Sequence, residues 1–244
     1  MVQNTRGILL RTIKYGESSL IVTVFTEQFG VQAYLLQGIR STKKHHSCAA
    51  ILQTGALLDL VVFQQPLKNL QRIREFQLAY MYTGLQESMI KNAVSTFTNE
   101  LLLRMLPENA TFPALFDFTF QFLKALDNTP TAQTSNYPLF FIINCCHLLG
   151  YETTGYFTAD TPHLNIMEGG FSNTSDQRTP QLTEAEGAAL NAVLSARELD
   201  DVIAIQLNSR SRFRLLEWYI LFLQHHTQHN QEIRSLTVLR SVFH

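Results

Sequence analysis

The sequence predicts an α+β fold: a small N-terminal β-barrel followed by an all-helical C-terminal domain with one loop and hairpin excursion. Three observations predict it. Five short runs between Ile8 and Phe76 carry apolar residues at the period of a strand, with turn signals between them. From Gln77 the period becomes helical. Residues 151–180 interrupt it with a stretch rich in Gly, Thr, Asn, Asp and Pro. The expected division is a barrel domain over residues 1–78 and a helical domain over 79–244, with the excursion at 151–180.

The first three runs, Ile8 to Tyr15, Leu20 to Thr26 and Val31 to Gln37, are joined by Gly16-Glu17-Ser18 and Phe29-Gly30, the spacing of a tight antiparallel meander. In the second run Leu20, Val22 and Val24 share one face and Ile21, Thr23 and Phe25 the other, so both faces carry apolar groups. That pattern fits a barrel covered on its outside. Leu57 to Phe63 sets Leu58, Leu60 and Val62 inward against Asp59, and Leu70 to Phe76 sets Arg72 and Arg74 on one face. Five such strands make an OB-like barrel, a fold whose open face commonly takes single-stranded nucleic acid.

The net charge of −1 conceals an uneven distribution. Residues 1–80 hold nine Lys and Arg against four acids, residues 81–205 hold five against fourteen, and the remainder holds five against two. A basic barrel followed by an acidic middle points to a polyanion partner for the barrel, unless the charges are only solvated. Three cysteines, Cys48, Cys145 and Cys146, make no disulfide framework, as in a reducing compartment. No charged and apolar leader opens the chain, and the longest apolar run, Leu139 to Leu149, is broken by Asn144 and His147. A soluble cytoplasmic protein is expected.

Residues 38–48 read as a basic polar loop in which Arg40, Lys43 and Lys44 can follow a phosphate backbone. Tyr15, Phe25 and Tyr34 are either stacking surfaces or core. Beyond the barrel, Leu78, Met81, Tyr82, Leu85, Met89 and Ile90 form one helical stripe, and Phe97 to Leu106 hold a second, ended by Pro107. Phe112 to Leu126 is apolar all round, as at the centre of a bundle. Asn136 can cap a helix with Pro138 in its first turn. Within that helix Cys145, Cys146 and His147 read as core, because neighbours on a helix diverge by about 100° and form no thiol–imidazole pair.

In the excursion His163 to Met167 is strand-like and Glu168-Gly169-Gly170 is a hairpin turn, without the glycine fingerprint of a phosphate cradle. Thr183-Glu184-Ala185-Glu186 opens a helix as a capping box. The last long helix, Ser211 to His226, is expected to bury Leu215, Leu216, Tyr219, Phe222 and Leu223, with Trp218 at its margin. Either Arg210 and Arg214 bind phosphate or an acidic peptide, or Arg214 pairs with Glu217. His225, His226 and His229 include a pair four apart, but no carboxylate stands between them, and no metal is expected.

Several of these segments together resemble the bacterial DNA repair and recombination mediator family RecO. The resemblance lies in Gly7 to Thr12, Tyr15-Gly16-Glu17-Ser18, Phe25-Thr26-Glu27 with Gly30, Gly38-Ile39-Arg40-Ser41, Leu57 to Phe63 and Leu70 to Phe76. It continues in Leu148-Leu149-Gly150-Tyr151, the Gly-Gly-Phe of the excursion, the Arg210 to Arg214 segment and Arg234-Ser235-Leu236. It implies an OB-fold on a helical domain, binding of single- and double-stranded DNA and annealing of complementary strands. The implied partners are RecR and the C-terminal tail of the single-stranded-DNA-binding protein, with a functional link to RecA loading. Many members of the family carry a four-cysteine zinc site in the excursion, whereas residues 151–180 here contain no cysteine. Zinc is therefore not expected, and Phe157, Ile166, Met167 and Phe171 are left to hold the excursion.

The resulting expectation is a non-enzymatic mediator. Arg11, Lys14, Arg40, Lys43, Lys44, Arg72 and Arg74 are the candidates for phosphate contact, joined by Arg210 and Arg214, with Tyr15 and Tyr34 for base stacking. Two other classes compete: a protein-only scaffold whose barrel binds peptide, and a metal-dependent nuclease using Glu17 and Glu27.

Overall fold

A computed structural model gives the fold, and describes residues 1–39, 51–65, 68–175, 181–229 and 231–243. Five strands, β1 (Val2–Tyr15), β2 (Ser19–Thr26), β3 (Gly30–Leu36), β4 (Leu57–Phe63) and β5 (Leu70–Leu78), close into a barrel in the order β1-β2-β3-β5-β4. Helices α1 (Gly84–Glu87), α2 (Met89–Met105), α3 (Pro113–Asn128) and α4 (Tyr137–Leu148) follow. A two-stranded sheet, β6 (His163–Asn165) and β7 (Gly170–Ser172), precedes α5 (Glu184–Ser195), α6 (Leu199–Ile203), α7 (Ser209–Thr227) and α8 (Ser235–Val242). The fold is thus an OB-type barrel followed by helices. The expected helix from Gln77 starts later, because β5 runs on to Leu78 and the first helical turn begins at Gly84. Met81, between β5 and α1, and Met89, the first residue of α2, are exposed rather than part of a buried stripe.

The chain divides into two compact units: Met1–Thr83 with Asn99–Lys124, and Gly84–Thr98 with Ala125–His244. In the first, β1 serves two neighbours, pairing with β4 through Val2 to Ile8 and with β2 through Gly7 to Tyr15. The register slips between Leu9 and Arg11, and this bulge lets one long strand bend around the barrel. Leu9, Val22, Val24, Tyr34, Leu58, Leu60, Val62 and Ile73 fill the interior, as the period of two predicts for β2 and β4. β3 pairs with β5 in parallel only over Ala33 to Leu35. The rest of its edge is covered by the segment after α2, where the Asn109 N–H donates to Val31 O at 3.0 Å and Gln32 Nε2 to Asn109 Oδ1 at 2.9 Å. A Cβ on Gly30 would lie 2.0 Å from Ala110 O, and its φ of +67° is a second reason for glycine there.

The apolar outside of β2 finds its cover in α3, where Phe25 meets Phe116 edge-on at 5.4 Å. Residues of α3 up to Lys124 therefore belong to the barrel unit, and the expected bundle centre is instead α4. Tyr137 to Ile143, Cys145 and Cys146 of α4 are all buried. Asn136 starts α4 without capping it: Nδ2 donates to Val202 O and Ile205 O, both at 2.9 Å. Its Oδ1 accepts from Arg212 Nε at 3.0 Å, so a buried amide joins α4, α6 and α7. The capping box at Thr183 and Glu186 forms as expected. Trp218, expected at the margin of α7, is only 2% exposed and stacks on Phe222. Among the described residues no helix is long and apolar enough to cross a membrane.

Candidate nucleic-acid interface

The register fixes which strand positions share the outside of the barrel. With Leu20, Val22 and Val24 turned in, Ile21 and Thr23 turn out, and their partners follow. One outer row runs Ile13, Ile21, Leu35, Arg72, and the adjacent row runs Arg11, Thr23, Ala33, Leu70. Arg11 of β1 and Arg72 of β5 thus belong to adjacent outer rows of the closed barrel, with Ile13, Ile21 and Leu35 standing between them along the ladder. Ile13 is 41% exposed, Ile21 and Leu35 are half-buried, and Tyr15 at the end of β1 is 54% exposed. Arg72 faces outward because Gln71 turns in, accepting from the Gln65 N–H at 2.8 Å and donating back to Gln65 O at 2.9 Å. Among the described residues neither Arg11 nor Arg72 has an ion pair.

The other sequence candidates are not equivalent. Lys14 is exposed but alternates with Arg11, so it stands at the barrel rim rather than in the same row. Tyr34 is no stacking surface: it is 0% exposed, its hydroxyl donates to Gln32 Oε1 at 2.8 Å, and burial pushes its pKa up to about 12. The expected Arg72 and Arg74 pair is broken by a bulge, since Val62 pairs with Ile73 while Val61 pairs with Glu75. Arg74 then lies beside Glu75, with Nε 3.0 Å from Oε1. Arg40, Lys43 and Lys44 lie outside the described residues.

Arg6, not singled out by the sequence, is already committed. Its Nε and Nη2 donate to the two oxygens of Glu27 at 2.9 and 2.8 Å, and Nη2 reaches Asp117 Oδ1 at 2.7 Å. Its guanidinium also lies over the Phe116 and Phe120 rings at 5.3 and 5.1 Å. Hydrogen bonding to Arg6 holds Glu27 below the ordinary carboxylate range. Glu27 is therefore engaged, and Glu17 stands in the turn between β1 and β2, so the two offer no paired carboxylates for a nuclease metal. A cavity of about 700 Å³ in the barrel unit has Glu27, Asp59 and Glu75 in its lining, with Arg6 as its cation. An acidic lining of this kind repels phosphate, so the cavity does not suit a nucleic-acid backbone.

In the second unit Arg210 is exposed beside a cavity of about 350 Å³. Arg214 pairs with Glu186 instead of Glu217, whose partner is Arg240 at 2.5 Å. Arg212, between the two arginines picked from the sequence, is the buried one at 8% exposure, and Leu207 O accepts from it at 2.6 Å. No period marks it, because its partners come from α4 and the loop before α7. Burial pushes the Cys145 and Cys146 thiols up, so neither supplies a thiolate. His226 stacks on Tyr151 at 5.3 Å, and His229 Nδ1 lies 2.7 Å from Thr227 O. Among the described residues no three His, Cys, Asp or Glu side chains gather as metal ligands.

Comparison with known proteins agrees with this layout. The family model described as "Recombination protein O N terminal" matches residues 1–82, and "Recombination protein O C terminal" matches residues 86–235. A protein of Christiangramia forsetii named "DNA repair protein RecO" is 26% identical over 246 residues, covering 100% of both chains. Proteins of the same name from Flavobacterium psychrophilum and Bacteroides fragilis are 27% and 25% identical, with 98% and 100% of both chains covered. A five-stranded barrel followed in the chain by helices, the two family models that together span residues 1–82 and 86–235, and these relatives lead to one conclusion: the chain belongs to the recombination protein O family.

Proposed function

We propose that this chain is a non-catalytic mediator of DNA repair and homologous recombination that binds single- and double-stranded DNA and anneals complementary strands. The observation that carries the proposal is the outside of the barrel, where Arg11 and Arg72, without an ion pair among the described residues, are exposed in the two adjacent ladder rows that also hold the half-exposed Ile13, Ile21 and Leu35. Exposed arginines hold phosphates, while apolar side chains beside them receive base faces that a duplex keeps stacked. Annealing follows because neutralised phosphates repel a second strand less. Residues 1–78 act as the DNA-binding domain and 79–244 as the domain that recruits partners in the cytoplasm: RecR, and the single-stranded-DNA-binding protein through its acidic tail. With RecR, the protein assists RecA loading onto coated single strands. A cavity of about 480 Å³ in the helical unit suits the tail, with Ile143, Val193 and Leu194 apolar and Arg197 cationic, although Glu152 also lines it, paired with His147 at 2.6 Å.

Strand annealing tests the reading. Labelled complementary oligonucleotides are expected to anneal faster with the wild-type chain than with Arg11→Glu/Arg72→Glu or Lys43→Glu/Lys44→Glu. Equal rates for all three proteins refute annealing by these cations. Metal-dependent shortening of the strands would instead mark a nuclease.

A further inference from the structure

We propose that the excursion over residues 151–175 is fastened without metal, with Asn191 and Trp218 as anchors where the family's zinc-bearing members use cysteines. Zinc held structurally needs four nitrogen or sulfur ligands. This segment has no cysteine and a single histidine, His163. Its acids are engaged or isolated: Glu152 pairs with His147, Glu168 accepts from Thr174 Oγ1 at 2.6 Å, and Asp160 stands exposed. The residues present do not fit the ion.

Hydroxyl pairs close two of its turns instead. Thr158 and Thr161, separated by the two residues usual between paired metal ligands, bring Oγ1 to Oγ1 at 2.7 Å. The Thr161 N–H donates to Thr158 Oγ1 at 3.1 Å, and its hydroxyl donates to Tyr156 O at 3.0 Å. The second pair is Ser172 Oγ and Thr174 Oγ1, at 2.8 Å. Between them Asn165 Oδ1 accepts from the Met167 and Glu168 N–H groups at 2.9 and 3.1 Å, fixing the hairpin turn.

Two side chains from the helices then hold the folded excursion. Asn191 of α5 treats Phe157 as a neighbouring strand would: Oδ1 accepts its N–H at 2.9 Å, and Nδ2 donates to its carbonyl at 3.1 Å. The Phe157 ring lies on bare helix backbone, since a Cβ on Gly187 would stand 2.0 Å from Phe157 Cγ. The Trp218 indole N–H donates to Leu164 O at 3.2 Å, and Leu164 is fully buried. Met167, expected to help, is 72% exposed and contributes nothing to this seat.

Trp218 is the chain's sole tryptophan, so its emission reports on the seat directly. The chain purified without added metal is analysed for zinc by mass spectrometry and melted with and without EDTA, following that emission. No stoichiometric zinc and coincident transitions are expected. Asn191→Ala, which removes both bonds to Phe157, should lower Tm by about 4–8 °C and speed limited proteolysis within 151–175. Asn191→Asp, which keeps the acceptor alone, should lie between the two. One zinc per chain, or a Tm lowered by EDTA, would overturn the proposal, as would unchanged protease resistance in both variants. None of these readouts involves DNA, so their outcome is separable from that of the proposed function.

Discussion

The salt dependence of DNA binding offers the most direct test of the barrel face. For single strands the logarithm of affinity falls with the logarithm of salt at a slope of about −0.7 per neutralised phosphate. Arg11 and Arg72 stand on the outer rows without an ion pair among the described residues, so each is free to neutralise one phosphate. Arg11→Ala/Arg72→Ala should therefore flatten the slope by about 1.4. Between 50 and 200 mM salt, the affinity lost by the variant should be about sevenfold less than the loss in wild type. Arg6→Ala is the control, since its guanidinium is occupied by Glu27 and Asp117 and its removal should leave the slope unchanged. Fluorescence anisotropy with a labelled oligonucleotide at five salt concentrations measures all three proteins. Parallel lines for wild type and the double variant would refute the assignment of this face. The comparison does not depend on what Arg40, Lys43 and Lys44 add, because they are present in every protein.

Three further outcomes follow from the same contacts. Tyr15→Ala should weaken single-strand binding by about 1–3 kcal/mol in the same assay, whereas Tyr34→Phe should leave binding intact and cost the barrel about 1 kcal/mol in urea unfolding. Arg6→Ala should destabilise the barrel unit by about 1–2 kcal/mol after solvent screening, read as a lower urea midpoint. For Glu186, burial alone would raise the pKa, but bonds from Ser211, Thr183 and Arg214 outweigh it and hold the carboxylate below its ordinary range. Its contribution is therefore complete above the unfolded value of about 4.3 and is lost as pH falls through the lower folded value. Glu186→Gln should cost stability at pH 7, and the gap to wild type should narrow below about pH 4 in thermal melts.

Much of the candidate site was legible in the sequence. Alternation in Leu20 to Thr26 and Leu57 to Phe63 separated the inward residues from the outward ones, and the uneven charge pointed to the barrel as the cationic part. Arg11 and Arg72 stand out in the sequence as cations at strand positions. What the sequence could not rank was the use of each cation. Arg6 and Arg11 look alike along the chain, yet one is held between Glu27 and Asp117, brought from 21 and 111 residues away, and the other faces solvent.

Local pattern determined the strands, the turns, the capping box at Thr183 and the lack of sulfur ligands in the excursion, because each rests on residues a few positions apart. Tertiary structure decided which of two aromatic candidates is exposed, since the Tyr34 side chain is enclosed in the barrel interior while Tyr15 ends the β1–β2 ladder opposite Ser19, past the reach of β4, which pairs with β1 only up to Ile8. It also decided that α3 covers the barrel and that an indole and an amide hold the excursion. A period in the sequence tells which residues share a face; only the elements that arrive from elsewhere in the chain determine whether that face is buried, paired or open.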